Sequence, residues 1–222
     1  MVNLTLTGWT HNIKIMFLSP EIIIKKYNMG LFPMSDSHYD PFIYWVEPKE
    51  RGIIYLDEFR ITKSLKKILK KNLFEIKVNQ NFEKIIKSCA INFKRNSTWI
   101  NDQIIENYVE LNRKGIAKSI GCYEKGKLVG GLYGIVLGKI FCGESMFSLK
   151  KNSSKVSLAY LAAHLKEGGF KYIDTQFYSD HLKQFGTKKI SKNEYRQIIK
   201  KDGSYKTNFP IHISKYILEY FS

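Results

Sequence analysis

An α+β fold with a mostly antiparallel sheet is the class this 222-residue sequence predicts, and three observations carry it. Three strand-like runs follow one another between residues 117 and 147, with Lys125-Gly126 and Gly138-Lys139 as turns, which makes a β-meander. Amphipathic helical stretches precede it. After it comes a helix, one apolar strand and a final helix, so the second part runs helices, meander, helix, strand, helix. That order fits a mixed class rather than a pure one.

Ser19-Pro20-Glu21 reads as N-cap, first-position proline and first-turn acid, and Gly30 supplies the stop, predicting a helix over Pro20 to Met29. Pro33, Pro41 and Pro48 with several aromatics make residues 31–51 an ordered loop. Residues 59–71 predict a helix with Ile61, Leu65, Ile68 and Leu69 on one face and Lys63, Lys66, Lys67, Lys70 and Lys71 mostly on the other. Further helices are expected over Phe82 to Cys89 and Gln103 to Arg113, the second stopping at Gly115. The meander strands are Ala117–Glu124, Lys127–Leu137 and Ile140–Phe147. Ser153 or Ser154 is expected to cap a helix through Leu165, ended by Gly168-Gly169. Lys171–Phe177 reads as a buried strand, and Ser191-Lys192-Asn193-Glu194 has the capping-box pattern that opens a last helix.

The chain is 44% hydrophobic and 25% charged, as globular proteins are, and its length suits one compact unit or two domains sharing an interface. No apolar run approaches the roughly 18 residues that a membrane span needs. The opening MVNLTLTGWTHNIK lacks the pattern of a secretion signal, and Cys89, Cys122 and Cys142 form no CxxC pair, so a reduced, cytoplasmic protein is expected. Lys and Arg number 36 against 20 Asp and Glu, a net charge of +16. Such an excess points to a polyanionic partner, nucleic acid first. A genome rich in A and T would yield the same abundance of Lys, Ile and Asn without any binding. The five histidines show no metal-ligand spacing, so no metal is expected.

Five blocks then stand out, in order. They are Tyr27-Asn28-Met29-Gly30-Leu31-Phe32-Pro33-Met34; Trp45-Val46-Glu47-Pro48-Lys49-Glu50-Arg51-Gly52-Ile53-Ile54; Thr98-Trp99-Ile100; Leu128 to Gly134 running into Phe141-Cys142-Gly143-Glu144-Ser145-Met146-Phe147-Ser148; and Asp174-Thr175-Gln176-Phe177 followed by Asp180-His181. Together they resemble the signatures of the leucyl/phenylalanyl-tRNA–protein transferase family over roughly residues 20–200. Met34, Tyr44 and Ser179 depart from the common pattern in ways that resemble an alphaproteobacterial branch. The resemblance implies a small N-terminal domain (1–75) bearing the basic helix and a GNAT-like, N-acetyltransferase-type catalytic domain (76–222). It also implies transfer of Leu, Phe or Met from charged tRNA to proteins beginning with Arg or Lys, marking them for degradation. No cofactor and no membrane are implied, and a monomer is expected.

Asp174 and Gln176 are two apart on a strand and should share one face, where a carboxylate is costly unless paired. With the resemblance they become the catalytic pair for aminolysis of an ester. Asp174 would orient and polarise Gln176, whose carbonyl accepts a hydrogen bond from the attacking amine; direct base action by Asp174 is the less favoured variant. Taken alone, Asp174 could equally be a structural carboxylate. Glu144 could be an edge-strand charge in water; the resemblance places it in the aminoacyl site, against the donor's α-ammonium. By resemblance Leu132, Phe141, Leu158, Leu161 and Ile173 line the donor's side-chain pocket, though periodicity alone cannot separate that from core. Trp45 and Trp99 are candidate stacking platforms for the terminal adenosine, and either could be a core ring. Lys63, Lys66, Lys67, Lys70 and Lys71, with the basic run from Lys183 to Lys201, would contact phosphates unless they are solvated faces. An acetyl-CoA-dependent enzyme is disfavoured because Leu149–Lys155 holds no glycine to cradle a pyrophosphate. A non-catalytic RNA-binding module would leave Asp174 and Gln176 unexplained.

Overall fold

The computed structural model describes residues 15–91 and 98–221, so the opening segment read for targeting lies outside the described residues. Ser19 accepts a hydrogen bond from the Ile22 N–H and starts helix α1 (Pro20–Tyr27), which Gly30 closes at φ +85°. The 31–51 segment is not all loop. β1 (Phe32–Met34) and β2 (Tyr44–Val46) form a two-stranded antiparallel sheet, and β3 (Glu50–Tyr55) begins within it. The prolines hid strands this short, since Pro33 occupies an edge position that needs no donor. After a 3₁₀ turn at Leu56–Glu58, α2 spans Lys63–Lys71 rather than starting at residue 59, because Thr62 is its N-cap. β4 (Glu75–Val78), α3 (Phe82–Ala90) and α4 (Asp102–Arg113) follow.

The meander forms as the alternation requires. β5 (Ala117–Glu124), β6 (Lys127–Leu137) and β7 (Ile140–Ser148) pair antiparallel in succession. α5 (Ser153–Glu167) is entered through Asn152 at φ +70°, not capped by a serine. Ser153 instead donates to the Val129 carbonyl at 2.8 Å, and a Cβ at Gly130 would lie 2.2 Å from its Oγ, so the strand has room for that contact only at glycine. β8 (Tyr172–Gln176), α6 (Asp180–Lys183), β9 (Lys188–Ser191) and α7 (Lys192–Asp202) complete the order before a 3₁₀ turn at Ile217–Phe221, and the capping box at Ser191 and Glu194 is present.

Seven strands make one sheet in the order β4-β5-β6-β7-β8-β3-β9. The class is therefore α+β with a mostly antiparallel sheet, made mixed by the parallel pair β7 and β8. The expected 1–75 and 76–222 segments share this sheet, since β3 lies between β8 and β9. Alternating side chains divide between two apolar layers. One lies with α1, α3, α4 and α7, the other with α2 and α5. Among the described residues no helix is long and apolar enough to cross a membrane.

Candidate active site

Asp174 is fully buried on β8, in the first of these layers. A carboxylate there needs partners, and β3 and α7 supply them. Arg51 Nε donates to Oδ1 at 2.8 Å and Nη2 to Oδ2 at 2.6 Å, a bidentate clamp across 123 residues of sequence. The Tyr195 hydroxyl donates to Oδ2 at 2.6 Å. Arg51 Nη1 donates to the Gly30 carbonyl at 3.0 Å, and its guanidinium lies 4.8 Å from the Phe32 ring centre and 4.3 Å from that of Tyr195. Burial works against the guanidinium's charge, but Asp174 outweighs it and holds Arg51 above its ordinary pKa. Burial, then Asp174 and Cys142, pushes the Tyr195 phenol up, so Tyr195 remains a donor.

Gln176 is where β8 stops being a strand. Its φ is +61°, and the Phe177 N–H reaches back to the Thr175 carbonyl at 2.6 Å, so residues 175–177 close a three-residue turn of the rare positive-φ kind. Two features hold it. The Gln176 N–H donates to Asp174 Oδ1 at 2.8 Å, and Gly52 faces the turn across a register shift in β3. A Cβ at Gly52 would lie 2.4 Å from Thr175 Oγ1 and 2.7 Å from the Phe177 carbonyl oxygen. Asp174 therefore grips the backbone of Gln176, not its side chain as the sequence argument had it. The side-chain amide turns to Glu144, with Nε2 donating to Oε1 at 3.0 Å.

Glu144 is not an edge charge. It lies on β7, between β6 and β8, and is 8% exposed. Its Oε1 also accepts from the Tyr27 hydroxyl, which is 2.9 Å from the Tyr108 hydroxyl. Burial pushes the Glu144 carboxyl up to about 7, against the opposing hydrogen bonds from Tyr27 and Gln176. Its Oε2 is buried without a partner among the described residues, as is the Tyr133 hydroxyl nearby. A buried carboxylate with one oxygen unspent, walled by tyrosines, is suited to a small cation such as an ammonium group.

The other sequence-predicted residues separate by sheet face. Leu132, Phe141, Leu158, Leu161 and Ile173 are gathered in one buried cluster, on the α5 side and so across the sheet from Asp174 and Glu144. Trp45 is 2% exposed, with Lys26 above its ring at 5.7 Å, so neither ring face is open to a base; Trp99 is half-buried, just before α4. All five α2 lysines are exposed. The basic C-terminal run differs, because Lys188 pairs with Glu58, Lys189 with Glu50, and both Lys192 and Arg196 with Glu47. Among the described residues no cluster of His, Cys, Asp and Glu is arranged to hold a metal ion. Cys122 and Cys142 are buried, and burial pushes both thiols up, away from thiolate reactivity. Sequence reasoning missed Arg51, Tyr195, Tyr27, Tyr108 and Tyr133. Tyr27 and Arg51 stand inside the quoted blocks, but nothing local announced that they converge.

The profile of the leucyl/phenylalanyl-tRNA protein transferase family matches residues 53–200. A leucyl/phenylalanyl-tRNA–protein transferase of Rhizorhabdus wittichii is 46% identical over 164 residues, 73% of this chain and 66% of that protein. Proteins of the same name from Rhodospirillum rubrum and Maricaulis maris are 43% and 44% identical, over 72% of this chain and 76% and 74% of their own lengths. These relatives are alphaproteobacterial, as the motif departures suggested. A structure of L-PGS from Bacillus licheniformis aligns with 13% identity and a TM-score of 0.40 over 93% of this chain and 64% of that one.

Proposed function

The chain belongs to the leucyl/phenylalanyl-tRNA–protein transferase family, and from that premise we propose that it transfers Leu, Phe or Met from charged tRNA to the α-amine of proteins beginning with Arg or Lys. The observation that carries the reading is the pairing of Glu144 with Gln176 beside an unspent carboxylate oxygen. The donor's α-ammonium would rest on Glu144 Oε2. Its side chain would pass to the apolar cluster of Leu132, Phe141, Leu158, Leu161 and Ile173. A route through the sheet is supported by the strand pairing. β7 and β8 are hydrogen-bonded only as far as Cys142 and Asp174, and beyond that point Glu144 and Gln176 meet through side chains alone.

The acceptor amine attacks the ester carbonyl. A C–N bond forms, the C–O bond to the tRNA ribose breaks, and the amine's proton leaves with the ribose oxygen. The ester is already activated, and an α-amine with a reference pKa of about 7.7–8.0 is partly neutral, so positioning is the main requirement. With Nε2 committed to Glu144, the Gln176 Oε1 is left to accept a hydrogen bond from the attacking nitrogen. Asp174 contributes by fixing the Gln176 backbone. The α2 lysines would meet phosphates and Trp99 the terminal adenosine. Trp45 serves as wall rather than platform. The protein would act as a cytoplasmic monomer that marks acceptors for degradation.

Incubating the chain with labelled Leu-tRNA and peptides differing only in their first residue tests this. Label should appear on peptides beginning with Arg or Lys and not on those beginning with Ala or Glu. Absence of transfer to every peptide, with tRNA and ester intact, would sink it.

A further inference from the structure

Building on that transfer reaction, we infer that Arg51 and Tyr195 are positioning residues for Gln176, acting through the Asp174 carboxylate. Asp174 has nothing left for a substrate. It is 0% exposed, and its two oxygens already accept four hydrogen bonds, from Arg51 Nε and Nη2, the Tyr195 hydroxyl and the Gln176 N–H. Three of these hold the carboxylate in place, and the fourth is its output. That output lands on the residue that needs holding. Gln176 has a side chain yet adopts φ +61°, a conformation costing on the order of 1–3 kcal/mol that persists only where its surroundings enforce it. Were the turn to relax to an extended strand, the amide of Gln176 would rotate away from Glu144.

Arg51 also couples the two ends of the site. Its Nη1 grips the carbonyl of Gly30, three residues after Tyr27, whose hydroxyl donates to Glu144. One guanidinium thus sets the backbone of Gln176 and ties down the turn that delivers Tyr27. Stability alone does not explain such a group. A buried ion pair can often be replaced by packed apolar residues without loss, and what the bidentate fork adds is direction.

The test uses Tyr195→Phe, which keeps the ring against Arg51 and removes only the hydroxyl, and Arg51→Lys, which keeps the charge and loses the bidentate fork. Each is made in the full chain, alone and combined with Gln176→Ala. In the single variants kcat should fall about tenfold or more, as loss of a hydrogen bond to a charged group implies, with KM for tRNA little changed. In the Gln176→Ala background Tyr195→Phe should not lower the residual rate further, because the residue it acts through is gone, and Arg51→Lys should cost less than it does alone, keeping only the part that runs through Gly30 and Tyr27. Hydrogen exchange gives a second readout that needs no activity. The Gln176 N–H should exchange about tenfold faster or more in Tyr195→Phe, with the other β8 amides unchanged. Losses that multiply in the Tyr195→Phe, Gln176→Ala double variant, or an unchanged Gln176 exchange rate, would overturn the inference. If Arg51→Lys does not fold, Tyr195→Phe decides. If the unmodified chain transfers nothing, the functional reading fails on its own, and the exchange rate still decides whether the clamp holds Gln176.

Discussion

Replacing Glu144 by Gln should make the protein more stable in mild alkali and a worse enzyme. The carboxyl rises from 4.5 in the unfolded chain to about 7 in the fold, chiefly through burial. A group raised on folding favours the folded state below its unfolded pKa, and that advantage drains away as pH climbs towards the folded value. Here the loss runs from about pH 4.5 to 7 and is complete above. At about 1.4 kcal/mol per pH unit, the gap amounts to about 3 kcal/mol. An amide in that place accepts from Tyr27 and Gln176 through its oxygen, as Oε1 does now, and carries no charge to bury. Denaturant unfolding at pH 4 and pH 8 measures the effect. The wild type should lose about 3 kcal/mol between them relative to Glu144→Gln. In the transfer assay, wild-type kcat/KM for the donor should rise with pH through about 7 as the carboxylate forms. The variant should lack that limb and fall at least about 30-fold, since a buried partner for the ammonium is gone. Equal pH dependence of stability in the two proteins would mean that Glu144 is not the buried, raised carboxyl described, and the ammonium site would go with it.

Four further outcomes are expected. Gln176→Ala should remove most transfer while leaving tRNA affinity near wild type. Asp174→Ala should also destabilise by about 3–5 kcal/mol, because it strands the Arg51 charge; chemical denaturation and a filter-binding assay separate the two effects. Charge reversal at Lys66, Lys67 and Lys70 should weaken tRNA binding and lower the log–log salt slope by roughly 0.7–0.9 per lost phosphate contact, whereas reversal at Lys188 and Lys189, which face Glu58 and Glu50, should do less. Leu132→Phe should penalise a Phe donor more than Leu, by about 1–3 kcal/mol in kcat/KM, when tRNAs of one sequence are mischarged and compared; an unaltered Leu-to-Phe ratio would return that cluster to ordinary core.

The meander was legible because its register is local. β5, β6 and β7 pair through two-residue turns, and alternation fixes which side chains face inward. β3 was not. Its partners are β8 and β9, more than a hundred residues away, and a buried strand amid prolines carries no alternation to betray it. The site divided in the same way. Asp174, Gln176 and Glu144 could be named because resemblance pointed to them. How they connect could not be, because nothing local announced that the chain turns at Gln176, φ +61°, so that Asp174 meets its backbone N–H while its side-chain amide meets Glu144. Arg51 read as one letter in a motif; that it is 1% exposed and spans from Gly30 to Asp174 follows only from the folded chain.

The interleaving of β3 between β8 and β9 has a consequence for the order in which the molecule matures. Synthesis delivers Arg51 early, but the carboxylate it grips arrives with Asp174 and the hydroxyl beside it with Tyr195, near the end of the chain. Until then β3 has neither neighbour, and Arg51 is a cation without its counterpart. A nascent chain can complete its meander on the ribosome, as local hairpins do quickly, while the long-range closure waits. The site is thus assembled last, and a chain released before residue 195 would carry the meander but not the chemistry.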